Sequence, residues 1–157
     1  MFFSTKKIGP ISTSHRNWMA ATNSNRDSVK CSVCHGYSRY IQFTFAGELD
    51  QHQWIYDFGD AKFIKQWLDD NWDHKTLVSE NDPKLDKLKQ AELDGLLYLT
   101  IIPSINDWGP GIEGSCKWVY DSLINTVLEK TDNRIWIAKV EIWEHENNSA
   151  FYVPDEI

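Results

Sequence analysis

Long apolar runs are missing from this chain of 157 residues. The most hydrophobic stretch, Leu96–Ile102, is far shorter than the roughly 20 apolar residues of a bilayer-spanning helix, so no membrane span is expected. No apolar h-region follows the opening Met-Phe-Phe-Ser-Thr-Lys-Lys, and no secretory leader is expected either. Cysteine is scarce. Three residues without a leader argue against a disulfide framework and for reduced thiols in the cytoplasm. There, the sequon at Asn147-Asn-Ser149 would never meet the glycosylation machinery. Positive charge is also in deficit. Sixteen Lys and Arg against 23 Asp and Glu give a net charge of −7, which argues against nucleic acid or a membrane surface as a general partner. Any phosphate site must therefore be local. Short-period repeats and low-complexity segments are absent, so a repeat array is not expected.

What remains has the ordinary make-up of a globular chain, with 41% hydrophobic and 25% charged residues. One domain over 1–157 is expected, and the eight Trp are candidates for core or interface. Chemistry concentrates in Cys31-Ser-Val-Cys-His-Gly-Tyr-Ser-Arg39. It leads into Tyr40-Ile-Gln-Phe-Thr-Phe45, whose alternation predicts a strand from about Tyr37 to Glu48. Strand side chains repeat every two residues, so His35, Tyr37, Arg39, Ile41 and Phe43 share a face. Cys34 points to the other face, and Cys31 lies in a loop before the strand.

Elsewhere, Phe2–His15 reads as a strand interrupted by Gly9-Pro10, and Asn17–Lys30 as a polar loop. A helix is expected to start around Trp54–Asp60, capped by Gly59 or Asp60, with Phe63, Ile64, Trp67 and Leu68 as its apolar stripe. Leu96–Ile102 reads as a short strand, Ser104–Gly111 as a loop and Ile112–Glu129 as a helix. Arg134–Glu144 is a strand that returns through Asn147-Asn148 into Ala150–Val153. Residues 78–95 are charged and helix-prone.

The motifs and their order resemble the 6-pyruvoyl-tetrahydropterin synthase and 6-carboxytetrahydropterin synthase family. Ser-His15-Arg is similar to the end of the family's F-x-A-A-H-R strand. Cys31-Ser-Val-Cys-His35-Gly-Tyr37 follows its C-x-x-x-H-G-H, with Tyr37 in place of the last His. Trp54-Ile-Tyr-Asp-Phe58 and Trp72-Asp73-His74-Lys-Thr-Leu77 resemble W-I-x-D-F and L-D-H-x-x-L. Glu144 stands eight residues before Tyr152, as in the family's closing strand pair. Gly-Ile-Glu113-Gly matches the region of P-T-x-E-N, although Pro103-Ser-Ile-Asn-Asp107 is an alternative alignment. Residues 78–95 lie outside the resemblance as an insertion.

The resemblance implies an α+β tunnelling fold (T-fold), ββααββ, with an antiparallel sheet carrying two helices on one face. It assembles as a homotrimer or homohexamer that closes the sheet edges. It also implies a lyase that converts 7,8-dihydroneopterin triphosphate to 6-carboxy-5,6,7,8-tetrahydropterin for 7-deazaguanine (queuosine) synthesis. The alternatives are 6-pyruvoyl-tetrahydropterin synthase activity or a non-catalytic pterin- or purine-binding protein. In this reading Cys31, Asp73 and His74 are catalytic. Glu144 and Glu113 bind substrate, and His15, His35 and Tyr37 hold zinc.

A phenol is a poor zinc ligand unless it loses its proton. At that third position a Tyr37 phenolate, replacement by Cys34 or His145, and weakened or lost metal binding all remain open. Side chains of adjacent residues diverge, so Asp73 and His74 are not expected to bond each other readily. Arg16, Lys30, Arg39 and Lys75 are candidates to meet a triphosphate.

Overall fold

The structure is a computed structural model, and it describes residues 1–22, 24–25, 29–104 and 111–155. Part of the expected 17–30 loop and residues 105–110 of the expected 104–111 loop lie outside these residues, as does most of the alternative 103–107 alignment, although Ser104 itself is described. The described elements run β1 (Phe2–His15), β2 (His35–Gly47), α1 (Lys62–Asn71), β3 (Thr76–Ser79), α2 (Leu85–Leu93), β4 (Leu99–Ile102), α3 (Ile112–Lys130), β5 (Ile135–His145) and β6 (Asn148–Tyr152). Single turns of 3₁₀ helix occur at Trp18–Thr22 and Lys30–Ser32. No helix among the described residues is long and apolar enough to cross a membrane.

The strands form a mixed six-stranded sheet in the order β4-β3-β1-β2-β5-β6. Four of the five expected strands are its antiparallel part. The fifth, expected over Leu96–Ile102, is β4. The sheet is mixed rather than wholly antiparallel because β4 pairs with β3, which has no counterpart among the expected strands. α2 adds a third helix to the two expected, within the helix-prone 78–95 segment. β3 pairs in parallel with the end of β1, and β4 pairs in parallel with β3. Thr76-Leu-Val-Ser79 is buried at all four positions. A strand covered on both faces shows no alternation to read.

Helix α1 begins after Ala61, and neither Gly59 nor Asp60 caps it. Asp57 instead accepts the amide hydrogen of Gly59 at 2.7 Å, a local turn that competes with helix formation. Ile64 and Leu68 of α1 and Val119, Leu123 and Val127 of α3 share one core with Ile41, Phe43 and Phe45 of β2 and Ile137, Val140 and Ile142 of β5. α2 buries no side chain.

The irregularity at Gly9-Pro10 controls the site. Ile8 pairs with Ile41 and Ile11 with Arg39, so two residues of β1 bulge opposite Tyr40. Even-numbered residues face the core before the bulge and odd-numbered ones after it, so Ile8, Ile11, Thr13 and His15 are all buried. Gly9 has φ +139°, and a Cβ there would lie 2.7 Å from the Arg39 carbonyl oxygen. Only glycine accommodates this backbone.

Candidate functional site

The bulge brings His15 directly opposite His35 across the β1–β2 pair. His15 Nε2 lies 2.8 Å from His35 Nε2. His35 Nδ1 donates to the Val33 carbonyl at 2.6 Å, because a carbonyl can only accept. A neutral His35 therefore presents its Nε2 lone pair, and His15 donates Nε2–H to it. Tyr37 completes a ring of three. Its centroid lies 5.7 Å from that of His15 and 5.4 Å from that of His35, while the two imidazoles are 4.4 Å apart. The face expected of β2 is the face observed, alternating inward at His35, Tyr37, Arg39, Ile41 and Phe43.

These positions suit a metal triad, but the donors fall short of one. Three imidazoles on one tetrahedral zinc, at about 2.0–2.1 Å per nitrogen, place their centroids about 5 Å apart. His35 also has the backbone acceptor on its far nitrogen that metal-ligating imidazoles use. The third ring, however, is a phenol whose pKa is raised, first by burial and then by Glu144 and Cys31, with Arg39 opposing. Among the described residues no three His, Cys, Asp or Glu side chains converge as a metal site. His145 accepts the Asn147 amide hydrogen at Nδ1 (3.3 Å), and its Nε2, which then carries the proton, lies 3.1 Å from the Asn148 side-chain amide. Burial raises the pKa of Cys34, which lies in the field of Arg16 and Asp82. Neither stands in for the third ligand. The residues present do not make the three-ligand zinc site that the resemblance implies.

Glu144 joins the same cluster from β5. Its Oε1 is 3.9 Å from His15 Nε2 and 3.7 Å from Arg39 Nη2. Arg39 is fully buried, with its guanidinium over the rings of Tyr37 (5.3 Å) and Trp72 (5.5 Å). With the Tyr37–Glu144 wall closed, Arg39 has no surface to offer, so it is not the exposed cation expected to meet a triphosphate. Arg16 is committed too. Its Nε and Nη2 hold Asp82 at 2.6 and 3.2 Å, and Nη1 donates to the Ser32 carbonyl. Asp82 lies within the 78–95 segment, so that segment fixes the chain just after His15.

Tyr37 borders two clefts. One, of about 480 Å³, is lined by Ser12, Ser14, Gly36, Tyr37, His74 and Lys75 among others. The other, of about 690 Å³, runs past Tyr37 to Trp143, Glu144 and His145. The largely apolar cavity near Trp54, lined by Phe2, Phe3 and Phe58 among others, holds none of the predicted site residues.

His74 Nδ1 and Asp73 Oδ2 lie 3.0 Å apart on exposed side chains as an ion-pair contact without hydrogen-bond geometry, as expected for neighbours. His74 has φ +57°, held by its amide donating to the Ser12 carbonyl at 2.7 Å. Cys31 is exposed on the turn ahead of β2, close enough to Tyr37 to act on its titration. Glu113 is exposed in the first turn of α3. A side chain at Gly111 would meet Glu113 Oε2 at 3.6 Å and Asn17 Nδ2 at 3.7 Å, so Glu113 stands beside the segment that follows His15. His15, His35, Tyr37 and Glu144 thus converge, His74 shares a cleft with Tyr37, and Cys31 and Glu113 lie at the margins. The Arg39–Glu144 pair is the feature that the sequence does not disclose: it puts Arg39 on the His35–Tyr37 face and among the candidates for a triphosphate, and nothing in it names Glu144 as the partner.

An α+β sheet of this order with its helices packed on one face is the tunnelling fold, and the site sits at one end of that sheet. The 6-pyruvoyl tetrahydropterin synthase family model matches residues 6–155, and the chain belongs to this family. It is 28% identical over 99 residues to a probable 6-carboxy-5,6,7,8-tetrahydropterin synthase of Halobacterium salinarum, covering 62% of this chain and 61% of that one. A 6-carboxy-5,6,7,8-tetrahydropterin synthase of Aquifex aeolicus is 27% identical over 126 residues, covering 78% and 75%. The chain thus spans about three fifths of the first relative's length and three quarters of the second's.

Among solved structures, an uncharacterized protein, WS1659 of Wolinella succinogenes, superposes with a TM-score of 0.78 at 16% identity, over 98% of each chain. The 6-pyruvoyl tetrahydropterin synthase of Caenorhabditis elegans does so at 0.60 and 19%, over 99% and 98%. At these identities the structures establish the fold alone.

Proposed function

We propose that this chain acts on the C6 side chain of a reduced pterin, as a lyase of the 6-carboxytetrahydropterin synthase type. 7,8-Dihydroneopterin triphosphate and water are its substrates; 6-carboxy-5,6,7,8-tetrahydropterin is its product, feeding 7-deazaguanine synthesis, with the outer two side-chain carbons leaving as acetaldehyde and the phosphates as triphosphate. The observation that carries the reading is the convergence of Glu144 on the His15–His35–Tyr37 cluster, with the Asp73–His74 pair on the other side of Tyr37. Family membership supports it.

In this mechanism Glu144 anchors the ring, since a carboxylate matches two adjacent N–H donors of a pterin. Cys31 as thiolate removes a proton from the side-chain carbon, and His74 returns one. The Asp73 carboxylate, 3.0 Å from His74 Nδ1, stabilises the imidazolium electrostatically. Lys75, beside His74, offers charge to the phosphates. The mechanism takes no step through a metal, because His15 and His35 lack a third ligand among the described residues. Assembly of copies is part of the proposal. Edge strands β4 and β6 and exposed Phe2, Phe3, Trp54 and Phe151 are surfaces that a closed barrel would cover.

A second reading, pterin binding without turnover, is favoured by the raised pKa of Tyr37. Incubation of metal-quantified protein with 7,8-dihydroneopterin triphosphate, followed by mass spectrometry, separates the two. Release of the 6-carboxy product supports the lyase. Recovery of intact substrate from a protein that binds it supports the second reading, and absence of binding rejects both.

A further inference from the structure

Arg39 and Glu144 face each other across β2 and β5. Ile41 pairs with Ile142 and Tyr40 with Trp143, and the next step of the ladder brings these two together. Their charged atoms are 3.7 Å apart, beyond hydrogen-bond reach. None of the three guanidinium nitrogens of Arg39 has a hydrogen-bond partner among the described residues, although the side chain is wholly buried. No hydrogen bond to the Glu144 carboxylate is recorded either, and that side chain is only 18% exposed. A buried ion pair earns stability only when further hydrogen bonds satisfy its remaining donors and acceptors. This pair has none and sits behind the cleft that Tyr37 and Glu144 line. Its neighbours repeat the pattern. Trp72 Nε1, under the guanidinium, is unpartnered, as is Ser115 Oγ, next in sequence to Cys116, on whose titration Arg39 acts.

We propose that Arg39 is a specificity-determining residue that donates to the ring carbonyl of the ligand, while Glu144 accepts from the ring N–H and amino group beside it. The inference rests on the pterin reading above and deepens it. The pair presents donors next to acceptors, so its complement is a planar edge reading acceptor, donor, donor. A cyclic amide fused to an amidine has that edge, as in a 2-amino-4-oxo pteridine. A separation too long for a direct bond lets two adjacent ligand groups be taken side by side. Reaching Arg39 requires Tyr37 and Glu144 to part at the cleft wall. The neutral alternative, a 4-amino ring, turns a donor toward five N–H groups that have nothing to accept it.

The test is calorimetric titration of the full chain, after chelator treatment, with two otherwise identical pteridines, 2-amino-4-oxo and 2,4-diamino. It is run near pH 7, where the 4-oxo ring keeps its N–H and the diamino ring is not protonated, so both are neutral. Wild-type protein should prefer the 4-oxo ring by about 10- to 100-fold, the range carried by a charge-assisted hydrogen bond. Arg39→Gln, whose amide can both donate and accept, should reduce the preference to less than about threefold. Arg39→Lys should keep it.

Equal binding of the two rings by wild type, or a preference unchanged in Arg39→Gln, overturns the assignment of Arg39 and leaves the pterin reading standing. Failure of both rings to bind overturns the pterin reading and this inference together. If Arg39→Gln does not fold, the wild-type ratio and Arg39→Lys decide, read also as the larger rise in unfolding temperature with the 4-oxo ring.

Discussion

Replacing Tyr37 by His should turn the His15–His35 pair into a metal site. The three rings already stand with centroids 4.4, 5.4 and 5.7 Å apart, around the ~5 Å of three imidazoles on one ion. His35 is already held in the ligating tautomer by Val33, so the substitution changes one donor and moves no strand. A four-ligand structural zinc site is worth about 10–16 kcal/mol at neutral pH. One added ligand should then contribute about 3 kcal/mol, or a factor of about 100 in affinity. Loss of the phenol face under the buried Arg39 costs about 2 kcal/mol, less than the roughly 5–15 kcal/mol that holds a domain folded, so the metal-free variant stays folded. At zinc concentrations 100 times its dissociation constant the variant gains about 2.7 kcal/mol, a rise of about 5–10 °C in unfolding temperature. The assay is metal analysis after dialysis against chelator, with melting curves with and without zinc. Wild-type protein that keeps stoichiometric zinc through the dialysis refutes the donor argument. A variant that gains no zinc refutes the convergence of the rings.

Four further outcomes follow from the same geometry. Cys31→Ala should abolish turnover while changing stability by less than about 0.5 kcal/mol, because the side chain is exposed; steady-state rates and urea midpoints check this, and persistent turnover removes Cys31 from the mechanism. Glu144→Ala should destabilise the fold by about 3 kcal/mol or more, since it leaves Arg39 buried without a counter-charge; an unchanged urea midpoint would mean that the pair carries no coupling. Asp82→Asn should cost about 2–4 kcal/mol by weakening its two bonds from Arg16, again read by urea.

The fourth concerns alkaline pH. Burial pushes the Cys116 thiol from 9.0 up to about 12. In that window the folded state holds a proton that the unfolded state has lost. Stability is therefore full below pH 9 and falls as pH rises toward 12, by up to about 4 kcal/mol. Cys116→Ala should flatten the fall from its onset. Tyr56, raised from 10.0 to about 12, keeps a slope above pH 10. An identical fall in Cys116→Ala would mean the thiol is not its source.

The parts of the fold with a local signal were legible. Period-two alternation placed His35, Tyr37 and Arg39 on one face, and the apolar stripe of 112–130 marked α3. The phase of β1 depended on Gly9-Pro10. It was visible as an interruption, but only the paired strand reveals that it moves His15 inward. β3 carried no alternation because both its faces are buried. The placement of His74 beside the Tyr37 cleft goes with one positive φ, which the residue type does not announce. Arg39–Glu144 and Arg16–Asp82 are made by residues far apart in the chain, and nothing local to either partner names the other.

The central claim is that Glu144 marks where a pterin ring is held. Calorimetric titration of chelator-treated protein with 7,8-dihydroneopterin tests it without requiring turnover. The account predicts saturable binding to the wild type that Glu144→Gln, which keeps the side chain's shape and one acceptor, weakens by about 10-fold or more. Absence of binding to the wild type, or equal affinity in Glu144→Gln, would contradict it.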